Sequence, residues 1–346
     1  MNNSNTREKK TFITLINSAA CIAVVFLHTN GCFWDFSTEG YWKTANIIES
    51  LLYFSVPCFY MITGATLMDF LDRYSLKEFF QKRIKKTVIP FLFWSMTGMI
   101  RNAVLYGSYP QNLLDIYNGI ADTSYVSIYW FFPALFCLYL SLPLFAAVEK
   151  SKRKEIFTYL ATAGFVINLV IPFIRTVTHL EISWPLSVSV VSGSLIWLVI
   201  GYLLAHYEMA PSVRKLIYCA AVLGFLLHCG GTYYLSMQAG EVVRTFKGYT
   251  SVPCMMYSVG IFVWLKYHSD RIMSSRLVST VVNFIAPYSF GIYLLQFFIY
   301  STMISVFRID VRSMLYRLGA PFIIIPAAIL IISVSRKIPA VRNIVP

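Results

Sequence analysis

The first apolar segment of the sequence carries an asparagine and a histidine at a spacing that suits chemistry inside a membrane. Asn17 and His28 are eleven residues apart, which on an α-helix is close to three full turns and roughly 16 Å along the axis. Cys21 and Val24 lie between them on the same face, so a narrow, mostly apolar stripe connects the two polar side chains. His28 is therefore a candidate general base. A hydrogen-bonded, inert histidine at a helix end would show the same spacing.

A carboxylate near the start of the second apolar segment is the next candidate. An ionised Glu49 is costly in hydrocarbon unless it is paired or hydrated, and it is predicted to lie in the same half of the membrane as His28. A neighbouring carboxylate can fix the tautomer of a histidine and stabilise its charged form. Glu49 is therefore predicted to orient His28, with Asn17 as the third candidate catalytic residue. A solvated acid at a helix N-terminus is the alternative.

A basic run precedes the third apolar segment. Arg83 and Lys86 lie in the sequence Gln-Lys-Arg-Ile-Lys-Lys that leads into Pro90, and on an α-helix a spacing of three places both on one face. Two cations at a membrane surface suit the phosphates of a soluble cofactor. They equally suit anionic lipid headgroups or a simple topology signal.

Composition places the chain among membrane proteins. Hydrophobic residues make up 57% of the 346 residues and charged residues 13%, whereas soluble domains carry roughly a quarter charged residues. The net charge of +13 comes from short basic clusters between apolar runs, which is typical of topology signals rather than of nucleic-acid binding. The cysteines and histidines show no metal-ligand spacing, so no metal is expected.

Apolar runs of about 20 residues are long enough to cross a bilayer. They predict an all-α, polytopic protein with about ten transmembrane helices in a single membrane domain over residues 1–346, multi-pass in the cell membrane. The predicted spans are 11–29, 44–68, 87–106, 128–148, 156–175, 184–206, 214–236, 250–267, 280–305 and 315–335.

The basic residues of the loops predict the orientation. With ten spans, 21 of the 29 lysines and arginines fall on the side of the two termini and 8 on the other side. Because cytoplasmic loops are enriched in lysine and arginine, both termini are predicted to be cytoplasmic, and His28 and Glu49 to lie in the outer half.

Six short motifs follow one another along nearly the whole chain. They are Leu15–His28, which ends in the histidine; Val56–Gly64, with Val-Pro, aromatic residues and Thr-Gly; Lys82–Pro90 followed by Trp94; Trp130–Phe132 followed by Leu142–Leu144; Gly201-Tyr202; and Ser289–Leu295. In this order, on a background of ten spans, they resemble the acyltransferase 3 family of membrane proteins, which transfer acyl groups to surface glycans. The resemblance implies that His28 matches the catalytic histidine of that family and acts as a general base or as a transient acyl carrier.

Four positions depart from the family pattern. Asn17 stands where the family usually has an arginine, and Thr14 where it has an aspartate. Gln296 replaces a histidine that follows the Ser-Leu-Gly-Ile-Tyr-Leu motif in many members, and Lys86 replaces the second arginine of the basic pair. These departures indicate a divergent subgroup that holds its donor differently, or else a member that no longer catalyses.

The resemblance also implies a reaction. Acetyl-CoA would be the donor, bound through its phosphates by Arg83 and Lys86, with its pantetheine arm along the stripe from Asn17 to His28. The acceptor would be a hydroxyl of a surface polysaccharide or lipid-linked sugar. Aromatic residues of the first outer loop, Trp34 among them, would stack on the sugar or merely anchor the helix at the interface. Membrane lipids are the remaining partners expected.

Two other functions fit the same pattern. A small-molecule transporter or flippase also has many apolar spans with few buried charges, although no repeated halves are evident in this sequence. A catalytically silent member of the same fold would keep the motifs without the chemistry.

Overall fold

The computed structural model describes residues 3–181, 183–339, 341, 344 and 345. Arg342, counted in the predicted charge bias, lies outside the described residues, as do the side chains of Arg7 and Lys9. The described residues contain helices and no strand, so the all-α prediction is confirmed. The α-helices are α1 (Asn3–Thr29), α2 (Gly40–Leu52), α3 (Ser55–Leu67), α4 (Leu76–Arg83), α5 (Ile89–Tyr106), α6 (Leu113–Ala121), α7 (Phe131–Ala146), α8 (Lys150–Gly164), α9 (Ile171–Thr178), α10 (Leu195–His206), α11 (Pro211–Leu226), α12 (Thr232–Ala239), α13 (Val252–Met273), α14 (Arg276–Ile285), α15 (Ser289–Phe307), α16 (Met314–Gly319) and α17 (Pro321–Ser335).

Eight helical stretches of the described residues are long and apolar enough to cross a membrane. Several combine two shorter helices, and π-helical segments at Ile84–Val88, Phe165–Val170 and Leu227–Gly231 join α4 to α5, α8 to α9 and α11 to α12. The protein is therefore a multi-pass membrane protein. The eight stretches correspond to eight of the ten predicted spans, while the count of ten and the cytoplasmic position of the termini stay predictions.

The sixth predicted span, 184–206, is too long at its start. Its helix is α10, which begins only at Leu195. Residues 184–188 are not helical, since the side chain of Asn168 accepts a hydrogen bond from Val188 N at 2.8 Å and donates one to Val188 O at 3.0 Å. These two bonds satisfy backbone groups that a helix would have paired internally. α10 has only 12 residues and is shorter than a full crossing.

The eighth predicted span, 250–267, corresponds to α13. This helix has 22 residues and continues to Met273, but it is not among the eight apolar stretches. Its last two turns carry Lys266, His268, Asp270 and Arg271, which make it less apolar. The face that carries Cys254, Ser258 and Phe262 is fully buried against neighbours that include α11 and α1.

Helix α1 lies at the centre of the fold. It contacts α2, α3, α13, α14, α15, α16 and α17, and Ile16, Ala20 and Val25 are buried with at most 1% of their surface exposed. Because neighbouring helices surround most of α1, they restrict the motion of its side chains. The polar residues of α1 are consequently held at fixed positions inside the bundle.

Candidate functional site

A large cavity lies beside α1. Its volume is about 890 Å³, within the range of ligand-binding pockets. Its walls come from α1, α2, α3, α7 and α15 and from the loop between α12 and α13. Asn17, His28 and Glu49, the three predicted catalytic residues, all line it. The structure therefore brings them into one site.

The cavity follows the predicted stripe of α1. Asn17 and Tyr139 line it at one end, which we name the Asn17 end, and Trp34 and Arg244 line it at the other, the Trp34 end. His28 lies between the two ends, roughly 16 Å from Asn17 along the helix axis. A single space thus reaches from the middle of the bundle, past His28, to the loops.

His28 presents one ring nitrogen to this space. Its Nδ1 is buried and makes no hydrogen bond to any described residue, so Nε2 is the nitrogen left to face the cavity. The ring of Tyr293 lies 6.2 Å from the His28 ring, centroid to centroid. A histidine with an accessible Nε2 can take a proton from a bound hydroxyl group when it is neutral.

Gln296 is the side chain that accompanies His28. It is fully buried and lies beside the imidazole, while its Nε2 donates a hydrogen bond to Tyr293 O at 3.3 Å. The Oε1 atom of Gln296, like Nδ1 of His28, has no hydrogen-bond partner of good geometry among the described residues. A small movement would let Nδ1–H donate to Oε1, which would fix the tautomer with Nε2 unprotonated. In the sequence, Gln296 is distinguished only as a departure from a motif, whereas the fold places it next to His28.

Glu49 does not contact His28. The carboxylate is 3% exposed, and Asn30 Nδ2 donates to its Oε2 at 3.4 Å. No hydrogen bond or ion pair in the described part of the chain joins Glu49 to His28. The prediction that Glu49 orients His28 has no contact to support it, and Gln296 occupies that position instead.

Lys247 is a site residue that the sequence did not reveal. It lies in the loop between α12 and α13, yet only 2% of it is exposed, and it lines the cavity at the Trp34 end. Burial lowers the pKa of Lys247 to about 8, while the nearby Glu49 carboxylate favours the ammonium form. Lysines in a loop are ordinarily solvated, so no local pattern distinguished this one.

Asn17 has a structural partner as well as a place in the cavity wall. Its Nδ2 donates to Ser289 Oγ at 2.9 Å and lies 3.4 Å from Ala286 O. These bonds hold α1 against the start of α15. An amide committed in this way does not supply the fixed charge of an arginine at the same position.

In the structure, the two residues of the predicted basic pair, Arg83 and Lys86, have different surroundings. Arg83 is half-buried, with its guanidinium carbon 5.6 Å from the ring centroid of Tyr139, and Tyr139 lines the Asn17 end of the cavity. Lys86 is exposed and does not line the cavity. The π-helical segment Ile84–Val88 begins directly after Arg83 and contains Lys86. Because each π-helical residue turns the chain by a smaller angle than an α-helical one, a spacing of three no longer places both on one face.

The aromatic residues of the first loop divide between two roles. Trp42 is fully buried, and its Nε1 donates to Phe33 O at 2.8 Å, so it belongs to the core. Trp34 is 39% exposed and lines the cavity. The position of Trp34 at a cavity mouth is compatible with stacking on a bound ring.

Comparison with protein-family models gives a match over residues 11–336, to a family described as an acyltransferase domain. Comparisons with curated proteins and with solved structures gave no significant match.

Proposed function

Since the chain belongs to the acyltransferase 3 family, whose model it matches over residues 11–336, and is therefore a membrane acyltransferase, we propose that it transfers acetyl groups in the cell membrane. The donor is acetyl-CoA from the cytoplasm. The acceptor is a hydroxyl of a cell-surface or lipid-linked polysaccharide. The cavity beside α1 is the place where the two substrates meet.

The observation that carries this proposal is the position of His28, which lines the cavity between its two ends and whose Nδ1 is buried, so that Nε2 is the nitrogen left for a substrate. A donor that enters at the Asn17 end and an acceptor that enters at the Trp34 end would meet at this nitrogen. Nε2 removes the proton from the acceptor hydroxyl while the hydroxyl oxygen attacks the thioester carbonyl. The carbon–sulfur bond breaks, an ester forms, and the CoA thiolate takes the proton from His28.

The donor end is assigned to Arg83. Its guanidinium lies over the rings of Phe79 and Tyr139, which limit its freedom, and its Nε atom is buried without a hydrogen-bond partner among the described residues. A guanidinium held in this way is well suited to a phosphate group. Lys86, which is exposed, contributes a longer-range attraction that salt screens.

Replacement of Arg83 is expected to weaken binding of the acetyl-CoA donor more than replacement of Lys86. Arg83→Ala should raise KM for acetyl-CoA about tenfold, because a hydrogen bond to a charged group contributes about 1.5 kcal/mol. Lys86→Ala should raise it by no more than about fivefold, as exposed ion pairs contribute less than about 1 kcal/mol. The measurement is the initial rate at varied acetyl-CoA in detergent-solubilised protein.

Lys85→Ala serves as the control for this pair, since Lys85 is an exposed cation of the same segment. An effect of Lys86→Ala larger than that of Arg83→Ala would show that the exposed side chain, not the one beside Tyr139, binds the donor.

The proposed reaction is tested in proteoliposomes. Acetyl-CoA labelled in its acetyl group is enclosed in the vesicles, and the polysaccharide of the source organism's own surface is added outside. The expected result is label on the external polysaccharide, bound as an alkali-labile ester, while a second label in the CoA portion stays inside. Vesicles without protein provide the background.

The same experiment separates the other two functions. A transporter or flippase would move the labelled compound or the sugar across the membrane without forming an ester. A catalytically silent protein would move no label above that of empty vesicles. Either result would contradict acetyl transfer.

A further inference from the structure

Positive charge exceeds negative charge at the Trp34 end of the cavity. Arg244 and Lys247 line this end together with the single carboxylate of Glu49. Arg317, which is 2% exposed and does not line the cavity, donates to Asn30 Oδ1, Tyr41 O and Thr44 Oγ1 at 2.9–3.4 Å. The described ion pairs include none of these four charged residues. Three cations thus share one carboxylate.

Asn30 connects the two buried charges. Its Oδ1 accepts from Arg317 and its Nδ2 donates to Glu49, both at 3.4 Å. Glu49 is therefore shared, because it interacts electrostatically with Lys247 and reaches Arg317 through this amide. No ion pair within the described residues joins Lys247 directly to a carboxylate, and one carboxylate does not balance two buried cations. Such a buried charge is costly unless a counter-ion is close.

Lys247 has hydrogen-bonding capacity to spare. Its Nζ lies 3.1 Å from His228 Nε2, which accepts one of the three ammonium protons. The rings of Phe33 and Tyr53 lie against the ammonium at 4.6 and 4.5 Å. No other protein acceptor in the described chain is within hydrogen-bond distance. The remaining donors are available to a ligand in the cavity that Lys247 lines.

Arg244 lies at the mouth of the cavity, at the same end. Its guanidinium carbon lies 4.6 Å from the ring centroid of Trp34, and its side chain is exposed. A guanidinium stacked on an indole keeps its edge free for a carboxylate or phosphate oxygen. Arg244 and Lys247 are three residues apart in one loop, so one cation is at the surface and the next is inside the cavity.

An aromatic wall accompanies these cations. The rings of Tyr53 and Tyr249 stack at 4.2 Å, and Tyr249 stacks on Trp130 at 5.1 Å. All three line the cavity. Stacked rings form a flat, rigid surface with hydroxyl and indole N–H groups at its edges, which suits the apolar face of a sugar ring.

From these contacts we propose that the acceptor is an anionic glycan, bound at the Trp34 end with a carboxylate or phosphate group on Lys247 and Arg244 and a hydroxyl directed at His28. This inference rests on the proposed acetyl transfer and adds the chemical class of the acceptor. The anionic group is either a uronic-acid carboxylate of the polysaccharide or the phosphate of a lipid-linked precursor, and both present the same charged oxygens.

The test compares matched acceptors. Acetyl transfer by the full-length protein in lipid nanodiscs is measured with oligoglucose, with oligoglucuronate of the same length, and with a polyprenyl-diphosphate-linked sugar. The expected kcat/KM is at least tenfold higher for one or both anionic acceptors than for oligoglucose. The oligoglucuronate and diphosphate arms distinguish the two sources of the anion. A neutral acceptor that equals or exceeds both would overturn the proposal.

Two variants test whether Lys247 and Arg244 cause the preference for anionic acceptors. Lys247→Met should reduce the preference for the anionic over the neutral acceptor at least tenfold, and Arg244→Met about threefold. Lys43→Met is the matched control, because Lys43 is an exposed lysine that does not line the cavity. Size-exclusion chromatography checks that each variant is folded. If Lys247→Met does not fold, the exposed Arg244 still tests the proposal.

Direct binding separates failure of this inference from failure of the proposed function. Binding of oligoglucuronate and of oligoglucose is measured calorimetrically without acetyl-CoA. Tighter binding of oligoglucuronate that Lys247→Met or Arg244→Met weakens would support the anionic site even if no acetyl group is transferred. Equal binding of the two sugars would overturn it even if transfer is observed.

Discussion

Replacement of His28 by alanine is expected to lower kcat for acetyl transfer by about 10²–10⁴-fold, the usual contribution of a general base. The His28 imidazole lines the cavity beside α1, and its other ring nitrogen, Nδ1, is buried. Alanine removes the proton acceptor but none of the groups assigned to the donor, so KM for acetyl-CoA should change less than threefold. Steady-state rates at saturating acceptor, together with binding of a non-reactive acetyl-CoA analogue, measure the two effects separately.

His268→Ala is the matched control for this experiment. His268 lies near the end of α13, with its ring stacked on Trp264 at 5.0 Å, and it does not line the cavity. The control should retain the rate of the unmodified protein. Equal rates for His28→Ala and His268→Ala would remove His28 from the mechanism. A loss of donor binding in His28→Ala would instead show that the residue holds the donor in place.

The part of the site that lies on α1 was predictable because it depends on the geometry of a single helix. The spacing of Asn17 and His28 decides which face of α1 they share, and the structure places both on the wall of one cavity. Val24 lies on that wall as expected. Cys21 does not, since its thiol is directed at Ser289 O, 3.8 Å away.

The parts that were not predictable depend on contacts between distant segments. Lys247 becomes a site residue only because its loop folds over His228 and approaches Glu49 on α2. Gln296 could be noted as unusual, but only the packing of α15 against α1 shows that it accompanies His28. The π-helical segment after Arg83 is a local change of geometry that residue types do not specify.

A close contact between two helices carries the second large prediction. α3 and α10 meet backbone to backbone at Gly64 and Gly201. A Cβ atom on Gly201 would lie 2.1 Å from Met61 O, and one on Gly64 would lie 2.1 Å from Leu198 O. Small residues allow such contacts between helices within membranes. The contact also positions the face of α3 that carries Phe59, Ile62 and Thr63 along the cavity wall.

Gly201→Ala is therefore expected to destabilise the protein by about 3 kcal/mol, at the upper end of typical overpacking effects, and to abolish acyl transfer. The added methyl group meets backbone atoms, which cannot rotate away as a side chain can, so α3 and α10 must separate. The loss should appear as a large decrease in the temperature at which the detergent-solubilised protein aggregates, followed by fluorescence-detected size-exclusion chromatography.

Gly230→Ala provides the comparison that isolates the contact from any general effect of an added methyl group. A Cβ atom on Gly230 would meet nothing within 4 Å, and alanine favours helical structure over glycine by about 1 kcal/mol. This variant should be as stable as the unmodified protein or slightly more so. If Gly201→Ala were equally stable, α3 and α10 would not need their close contact. The cavity wall would then depend on α3 being held by α1, α7 and α13, which it also contacts.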